Sequence, residues 1–400
     1  MFTWNISPSK VSQRTVNPIR RVVDRGNVAP NPDKPVISLA LGDPTVFGNF
    51  QTHPVVTEAV AASVKRPKSH GYAPAAGHIE AREAVAAFHS LPSFKLTAQD
   101  VLLTSGCSGA LEILIGALFN EGDNILLPKP GFSLYETLAT SKGIECRFYT
   151  LDPERNWEVN LEELEGLVDG KTRAILVNNP SNPCGSVYSK AHLEEILALC
   201  DRHKLPVIAD EIYADLVFEG NTFYPMASLT TTVPILAVGG LAKKWLVPGW
   251  RLGWICLYDR GDSLRAIRPA LDNMSGIILG SNTVIQGALP TILSDTPKDF
   301  YSTTTANIEK NARICAALAK EIPGLKVIQP QGAMYMMIGL DPDFGMDEIT
   351  FSQKLLAQQS VMVLPGSCFN FPGYFRIVVT PPEEKLREAF SRIGEFFSSQ

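Results

Sequence analysis

Short, continuous apolar runs recur between residues 101 and 257, and most of them stop at a glycine, a proline or a polar residue. Runs this short, without alternating polar residues, are typical of buried strands. Six such runs are predicted as strands, residues 101–104, 124–127, 174–177, 206–209, 234–238 and 252–257, and residues 146–150, which include Arg147, are predicted as a seventh strand. Helical stretches separate several of them, as at residues 109–119, 161–168 and 190–202. This alternation predicts an α/β fold with a mainly parallel, seven-stranded sheet sandwiched by helices.

The pattern of predicted helices and strands changes near residue 296, which indicates a second domain. A long predicted helix (residues 300–321) is followed by strands near 326–329 and 374–379 and by a helix near 350–359. We predict that residues 56–295 form a large ligand-binding domain and residues 296–400 a smaller α+β domain. Residues 1–55 are predicted to form an N-terminal arm and to complete the small domain. A chain of 400 residues, 45% of them hydrophobic, can bury a sizeable core.

Charge and cysteine content argue against several classes of protein. The formal net charge is −5 and the pI about 5.8, so there is no electrostatic basis for binding nucleic acid or an anionic membrane. The seven cysteines are irregularly spaced and lack zinc-site spacing, which favours reduced thiols, no metal and a cytoplasmic protein. No apolar run approaches the ~20 residues that span a bilayer. Residues 1–23 contain four basic residues and no acidic one, so a mitochondrial transit peptide is a less favoured alternative.

Residues 240–253, GLAKKWLVPGWRLG, place a lysine just after one predicted strand and an arginine just before the next. Most lysines are solvated surface residues, and that interpretation is open for Lys243. A lysine at the end of a buried strand, however, lies where α/β folds bind their ligands. Arg251 follows eight residues later, and its planar guanidinium can bind two phosphate oxygens at once. A nucleophilic amine beside a phosphate anchor indicates pyridoxal 5'-phosphate, held by Lys243 as a Schiff base.

Two other predicted strands end in residues that fit the same ligand. Residues 105–108, Ser-Gly-Cys-Ser, join a strand to a helix, and the backbone N–H groups of such a helix start can bind phosphate. An ordinary N-cap serine is the alternative. Asp210 directly follows the apolar run at 206–209, where burying its carboxylate is costly unless a cation pairs with it. A protonated pyridine nitrogen would supply that cation, whereas an exposed aspartate at a strand end would need none.

The lysine stretch resembles the signature of class I pyridoxal-phosphate-dependent aminotransferases of fold type I. The string GLAKKWLVPGWRLGW is most similar to members of that family that act on tyrosine, and the resemblance extends from about residue 15 to the C-terminus. Many members have serine three residues before the lysine; here Gly240 stands there, which puts one phosphate contact in doubt. The segment Asn17-Pro18-Ile19-Arg20 also resembles part of the folded core of that family, which favours an N-terminal arm over a transit peptide.

The resemblance implies roles for twelve residues. Those implied to act in catalysis are Lys243, Asp210 and Tyr213. Those implied to bind the cofactor are these three with Gly106, Cys107, Ser108, Phe132, Asn182, Arg251 and, reaching into the neighbouring subunit, Tyr72. Those implied to bind the substrate carboxylate are Arg376, Asn182 and Gly42. Because Tyr72 would act in the other subunit, the resemblance also implies a homodimer with shared sites.

The predicted reaction transfers the amino group of an aromatic amino acid, tyrosine or phenylalanine, to 2-oxoglutarate or pyruvate, as in aromatic amino acid catabolism. A dicarboxylate specialist needs a second cation, but residues 271–286 contain Asp272 and no lysine or arginine. The segment Val46-Phe47-Gly48 offers apolar surface that could contact a ring. Arg20 could still bind the distal carboxylate of 2-oxoglutarate.

The alternative functions are a C–S lyase of the same fold, an alanine-type or broad-specificity aminotransferase, and a non-catalytic amino-acid sensor.

Overall fold

The computed structural model describes residue 4, residues 6–25 and residues 28–399. Of the predicted arm and C-terminal domain, residues 1–3, 5, 26, 27 and 400 lie outside the described residues. The strands are β1 (Ile37–Ser38), β2 (Val101–Thr104), β3 (Asn124–Lys129), β4 (Glu145–Asp152), β5 (Glu158–Val159), β6 (Thr172–Asn178), β7 (Val207–Asp210), β8 (Ile235–Gly240), β9 (Gly253–Tyr258), β10 (Leu325–Val327), β11 (Tyr335–Leu340), β12 (Val361–Met362), β13 (Leu364–Pro365) and β14 (Tyr374–Val378).

The α-helices follow the same chain order. They are α1 (Lys10–Arg14), α2 (Pro18–Arg25), α3 (Pro54–Val64), α4 (Ile79–His89), α5 (Gly106–Leu118), α6 (Leu134–Ser141), α7 (Leu161–Gly166), α8 (Lys190–His203), α9 (Ile267–Ser275), α10 (Thr283–Asp295), α11 (Lys298–Lys320), α12 (Glu348–Gln359) and α13 (Glu383–Ser398). Within the described ranges, no helix has both the length and the apolar character needed to cross a membrane.

The large sheet has the strand order β2-β9-β8-β7-β6-β3-β4-β5. The five strands from β8 to β4 are parallel to one another, and β9 is antiparallel to both of its neighbours. All seven predicted runs form strands of this sheet. The predicted mainly parallel α/β sheet is therefore confirmed. The two-residue β5, antiparallel to β4 at one edge, was not predicted.

Helices cover both faces of the large sheet, which explains why inner strands such as β7 and β8 lack alternating polar residues. Along β6, Ile175 and Val177 belong to one hydrophobic core, where they are buried with side chains of α8 and α10. Ala174 and Leu176 point to the other core, which contains side chains of α5 and α9. Successive strand residues face opposite sides of a sheet, so a strand buried on both faces is apolar at every position.

A second, smaller sheet has the antiparallel order β10-β11-β14-β13. Residues from β11, β14 and the three helices α11, α12 and α13 share one core with Ile37, Leu39 and Phe50 of the N-terminal region. In addition, β1 pairs in parallel with β12, which ties the N-terminal region to the C-terminal one. The predicted smaller α+β unit is thus confirmed as part of the fold, while the domain boundaries at 55/56 and 295/296 stay predictions.

The strand directions bring several chain segments to one edge of the large sheet. Because β6, β7 and β8 are parallel, their carboxyl ends lie side by side, with Asn178 paired to Asp210 and Asp210 to Val238. Strand β2 runs in the same direction, since it is separated from β8 by the antiparallel β9. The residues that follow these four strands are therefore neighbours in space although they are distant in sequence.

Candidate active site

A cavity of about 520 Å³ opens at the carboxyl ends of the large sheet. Ten of the twelve predicted site residues line it: Gly42, Cys107, Ser108, Phe132, Asn182, Asp210, Tyr213, Lys243, Arg251 and Arg376. Gly106 lies beside this lining, in contact with Arg251. Tyr72 does not line the cavity of its own chain; its side chain is 89% exposed. The fold thus gathers nearly all of the predicted residues, while the roles that the resemblance implies for them stay predictions.

Lys243 lies in the turn that follows β8, and its side chain enters the cavity. The Nζ donates a hydrogen bond of 2.6 Å to the backbone oxygen of Gly42 and lies 5.7 Å from the centroid of the Tyr213 ring. The adjacent Lys244 forms an ion pair of 2.6 Å with Asp215 instead. Of the two neighbouring lysines, Lys243 is therefore the one whose amine can act on a ligand in this cavity.

Asp210, the last residue of β7, is buried at the cavity floor with 3% exposure. Its Oδ2 accepts a hydrogen bond of 2.7 Å from the Tyr135 hydroxyl, and its Oδ1 accepts one of 3.3 Å from the Ile212 N–H and one of 3.6 Å from the Cys107 thiol. Burial raises the pKa of Asp210, and these hydrogen bonds oppose that rise. No basic side chain of the described part of the chain forms an ion pair with it, so a cationic ligand atom suits this position.

The start of α5 and the guanidinium of Arg251 together form a site for an anion. Helix α5 begins at Gly106, whose φ of +71° is accessible to glycine at little cost. Arg251 donates through Nη1 to the oxygen of Pro248 (2.9 Å) and through Nη2 to that of Ser105 (3.4 Å). A Cβ on Gly106 would stand 2.6 Å from Nη2, so the guanidinium packs directly on this turn. The helix start and the guanidinium both favour negative charge.

Arg376 is a buried cation that lacks an acidic partner among the described residues. It lies in β14 with 2% exposure, and burial lowers the pKa of its guanidinium. Nη1 donates a hydrogen bond of 2.9 Å to Asn182 Oδ1, and Nη2 donates to the backbone oxygen of Ala40. The Nε has no hydrogen-bond partner in the described chain. A buried charge needs a counterion, and a ligand carboxylate could provide it from the cavity.

Two tyrosines of the cavity were not among the predicted residues. Tyr135 in α6 donates to Asp210, and Tyr335 in β11 lies 2.8 Å, oxygen to oxygen, from Tyr213. Both are buried and line the cavity. Their local sequences show only an aromatic residue within an apolar segment, which is the ordinary signal of a core residue. The contacts depend on chain segments 75 and 122 residues apart, so no local pattern could reveal them.

The mouth of the cavity is formed in part by the N-terminal region. Asn17, Ile19 and Arg20, from α2 and the residue before it, are lining residues, and Arg20 forms an exposed ion pair of 3.5 Å with Asp24. The predicted apolar segment Val46-Phe47-Gly48 does not line this cavity, and Val46 is 55% exposed. Within the same chain, the larger apolar side chains of the lining are Ile19, Leu41, Leu111, Phe132 and Ile212.

The chain is similar to known proteins along most of its length. The family model described as Aminotransferase class I and II matches residues 34–393. The chain is 52% identical to tyrosine aminotransferase of Mus musculus over 398 residues, which cover 98% of this chain and 87% of that protein. Among solved structures, tyrosine aminotransferase from Leishmania infantum has a TM-score of 0.95 and 36% identity, with 100% of both chains covered. Alanine aminotransferase from Pyrococcus furiosus has a TM-score of 0.92 and 30% identity, covering 98% of this chain and 100% of that one.

Proposed function

Since this chain belongs to the class I and II aminotransferase family, we propose that it transfers the amino group of tyrosine or phenylalanine to a 2-oxo acid. We propose pyridoxal 5'-phosphate as its cofactor and 2-oxoglutarate or pyruvate as the acceptor. The observation that carries this proposal is the shared cavity of Lys243 and Arg376: an amine and a buried guanidinium, neither with an acidic partner among the described residues. An amino acid offers the matching pair of groups, an α-carboxylate for the guanidinium and an amine beside it.

The cavity residues fit the proposed cofactor. The start of α5 with Arg251 would hold the phosphate, and Phe132 would contact the ring face. Asp210 would pair with the protonated ring nitrogen, which would counteract the effect of burial and keep the carboxylate ionised. Asn182 and Tyr213 would donate hydrogen bonds to the ring oxygen. Gly106 also supports the fit, because a Cβ there would collide with the guanidinium that faces the phosphate.

In the proposed reaction, the cofactor and the residues of the chain have different chemical roles. When bound, pyridoxal phosphate supplies an electron-accepting ring that stabilises the negative charge left on the substrate α-carbon. Lys243 would hold the cofactor covalently when no substrate is bound. Its free Nζ would then act as general base for the substrate α-proton and as general acid in returning it to the cofactor carbon. Arg376 and Asn182 hold the carboxylate, which fixes the α-carbon near that amine.

The preference for an aromatic donor is supported by the lack of a basic residue in the stretch where the resemblance implies that a dicarboxylate specialist carries one. Residues 271–286 contain no lysine or arginine, and a distal carboxylate left without a counterion in a closed site would cost several kcal/mol, roughly. The names of the similar tyrosine aminotransferases from Mus musculus and Leishmania infantum agree with this proposal. Arg20 at the cavity mouth would receive the distal carboxylate of 2-oxoglutarate.

We further propose a cytoplasmic homodimer. Seven free cysteines support a reducing compartment, because thiols that stay unpaired are typical of intracellular proteins. The exposed Tyr72 and the exposed apolar segment 277–279 support a subunit interface, since apolar side chains that remain exposed in one chain often mark a contact surface.

A donor panel tests the proposed function. Purified, cofactor-loaded enzyme should be assayed with tyrosine, phenylalanine, tryptophan, alanine, methionine and aspartate, each against 2-oxoglutarate and pyruvate. We expect kcat/KM for tyrosine to exceed that for aspartate by at least about a hundredfold, as an uncompensated charge predicts. A tyrosine-to-aspartate ratio below one would reject the donor preference. Release of ammonia and pyruvate from a cysteine conjugate without any 2-oxo acid would indicate a lyase instead.

A further inference from the structure

Tyr335 lies between two groups of the site, Tyr213 and Arg376, and contacts both. We propose that Tyr335 is a positioning residue whose hydroxyl directs the Tyr213 proton towards the cofactor and whose ring orients Arg376 for the substrate carboxylate. The inference rests on the proposed function, because it takes Tyr213 as the donor to the ring oxygen. It goes further in assigning two separable tasks to two parts of one side chain.

The hydroxyl of Tyr335 forms one short hydrogen bond, 2.8 Å from oxygen to oxygen, with the hydroxyl of Tyr213. Tyr335 and Tyr213 are both buried, with 2% and 4% exposure. Within the described chain, the hydrogen-bond partner of the Tyr335 hydroxyl is Tyr213. The Tyr213 oxygen is therefore the acceptor to which Tyr335 can donate its proton. When Tyr335 donates, the proton of Tyr213 is free for a second acceptor, and a hydroxyl that accepts a hydrogen bond is itself a stronger donor.

The environment of Tyr213 keeps its phenol protonated, so the hydroxyl can donate a hydrogen bond. Burial raises the pKa of Tyr213 well above its usual range, so the phenol keeps its proton at neutral pH. The charged groups that face the tyrosine pair are Asp210, Lys243 and Arg376, which reach it from three different segments. With the phenol proton retained, the direction of the hydrogen bond between the two hydroxyls decides where that proton can be donated.

The ring of Tyr335 covers one face of the Arg376 guanidinium. The Cζ of Arg376 lies 4.4 Å from the Tyr335 ring centroid, and Phe369 lies 4.9 Å away. The arrangement follows from the sheet, because Arg376 is paired with Met337 and Tyr335 is on the same face of β11, two residues away. Asn182 and Ala40 accept hydrogen bonds from the two Nη atoms of Arg376. The rings of Tyr335 and Phe369 then restrict the motion that remains, which is rotation of the guanidinium plane.

The backbone of Gly42 fixes the hydroxyl from another side. A Cβ on Gly42 would stand 2.3 Å from the Tyr335 Oη, so the hydroxyl packs against this backbone with no room for a side chain. The oxygen of the same Gly42 accepts the hydrogen bond from Lys243. Tyr335 therefore has little freedom to move away from Tyr213, and its hydroxyl has a definite position relative to the catalytic amine.

The hydroxyl task is tested by the colour of the cofactor-loaded enzyme as a function of pH. A hydrogen bond to the ring oxygen stabilises the deprotonated form, so weakening it raises the pH midpoint of the absorbance change. We expect Tyr213→Phe to raise that midpoint and Tyr335→Phe to raise it by about 10–30% of that shift, because one hydrogen bond strengthens the next in a chain by about this fraction. The matched control is Tyr149→Phe, which removes a buried hydroxyl bonded to the Leu176 oxygen at 2.7 Å, in the core, and should leave the midpoint unchanged.

The ring task is tested by the affinity for 3-phenylpropanoate, a carboxylate that lacks the reacting amine. Tyr335→Phe keeps the ring and should bind this probe within about twofold of the wild type, whereas Tyr335→Leu should raise the dissociation constant about tenfold. Calorimetric titration measures both values, and cofactor content and the melting temperature of each variant show that the site is still formed.

The outcomes separate the inference from the proposed function. If Tyr213→Phe shifts the midpoint and Tyr335→Phe behaves like Tyr149→Phe, the hydroxyl task is overturned. If Tyr335→Leu binds 3-phenylpropanoate as the wild type does, the ring task is overturned. A wild-type midpoint in Tyr213→Phe would reject the proposed role of Tyr213, and the hydroxyl task with it. Shifts in the expected order, with affinity lost in the leucine variant alone, support both tasks.

Discussion

Two adjacent lysines illustrate how single residues of this site acquire different environments. Lys243 reaches into the cavity, while Lys244 pairs with Asp215 and has its Nζ 4.4 Å and 4.7 Å from the ring centroids of Tyr301 and Phe88. The charge of Lys244 is thus satisfied by an anion and by aromatic faces. The difference arises from the direction in which each side chain leaves the turn after β8, not from the residue type.

Lys243→Ala should abolish covalent attachment of the cofactor after borohydride reduction, because the amine that joins the cofactor is gone. Lys244→Ala is the matched control, since it removes an identical side chain from the same turn. We expect it to retain full attachment, measured by mass spectrometry of the reduced, digested protein. Labelling of the Lys243→Ala enzyme at another lysine would contradict the assignment.

Asp210→Asn should leave most of the cofactor bound but lower kcat by at least about a hundredfold. The neutral amide keeps the size of the side chain and cannot hold a proton on the ring nitrogen, so the charge on the α-carbon is poorly stabilised. Stopped-flow absorbance with tyrosine measures the loss. Asp123→Asn, which changes a buried aspartate paired with Arg173 at 3.0 Å, controls for removing a buried charge. Turnover equal to the wild type in Asp210→Asn would reject this role.

Glu211, next to Asp210, should make stability depend on pH. Burial raises the pKa of Glu211 to about 7 from 4.5, while its Oε1 accepts a 2.9 Å hydrogen bond from the Met226 N–H. Because the folded pKa is the higher one, the folded state binds the proton more tightly, and this contribution is lost as pH rises from about 4.5 through 7. Glu211→Gln, which keeps an acceptor oxygen, should flatten the slope of the unfolding free energy between pH 5 and 7, roughly, in urea titrations at constant protein concentration. An unchanged slope would contradict the prediction.

At the scale of elements, the anion site depends on close contact between β9 and the start of α5. A Cβ on Gly253 would stand 2.4 Å from the carbonyl carbon of Gly106 and 2.6 Å from the nitrogen of Cys107. Only a glycine in β9 allows the helix start to approach the strand this closely. The same contact places the start of α5 beside Arg251, so the proposed phosphate site depends on the close packing of β9 against this helix.

Gly253→Ala should therefore cost both stability and cofactor affinity. We expect a loss of about 1–3 kcal/mol in unfolding free energy, as overpacking predicts, and weaker binding of pyridoxal phosphate to the cofactor-free protein. Urea unfolding and fluorescence titration measure the two effects. Gly170→Ala is the matched control because a Cβ there meets no atom within 4 Å. Equal affinity in both variants would show that β9 does not set the position of the helix start.

At the scale of the whole molecule, one chain leaves apolar surface uncovered near the predicted interface. Tyr72 is 89% exposed, and Ile277, Ile278 and Leu279 are 71%, 59% and 57% exposed. The two segments are close together, since a Cβ on Gly280 would stand 2.9 Å from the oxygen of Ala75. A second copy of the chain is the partner that we expect at this surface.

Mixing two inactive variants tests the shared sites. After subunit exchange, Lys243→Ala and Tyr72→Ala should together regain up to about a quarter of wild-type activity, because half of the dimers are mixed and each has one intact site. Lys243→Ala mixed with Asp210→Asn is the control, since both residues line the cavity of one chain and no mixed dimer has an intact site. Exchange is followed by mass spectrometry of tagged subunits. Full exchange without recovery in the first mixture would reject sites shared through Tyr72.

Local patterns in the sequence were sufficient to predict seven strands of the large sheet and several residues that line the cavity. Inner strands of the large sheet such as β7 and β8 are mostly apolar because both faces are buried, and that signal needs no knowledge of the rest of the chain. The same holds for Lys243, Asp210 and the turn at 105–108, since each directly follows such a run and parallel strands bring their carboxyl ends to one edge. Helix α13 and the short helix α6, by contrast, were not predicted, although the buried residues Leu386, Ala389, Phe390, Ile393 and Phe396 of α13 recur at helical spacing.

Contacts between distant segments were decided by the tertiary structure alone. The hydrogen bonds of Tyr135 to Asp210 and of Tyr335 to Tyr213 join elements that no spacing rule relates. The solvent-exposed position of Val46, which the sequence suggested as a contact for the substrate ring, depends on how the N-terminal region packs on the small domain. A sequence pattern indicates which side chains of a segment are buried. Which other segment packs against them depends on the tertiary structure of the whole chain.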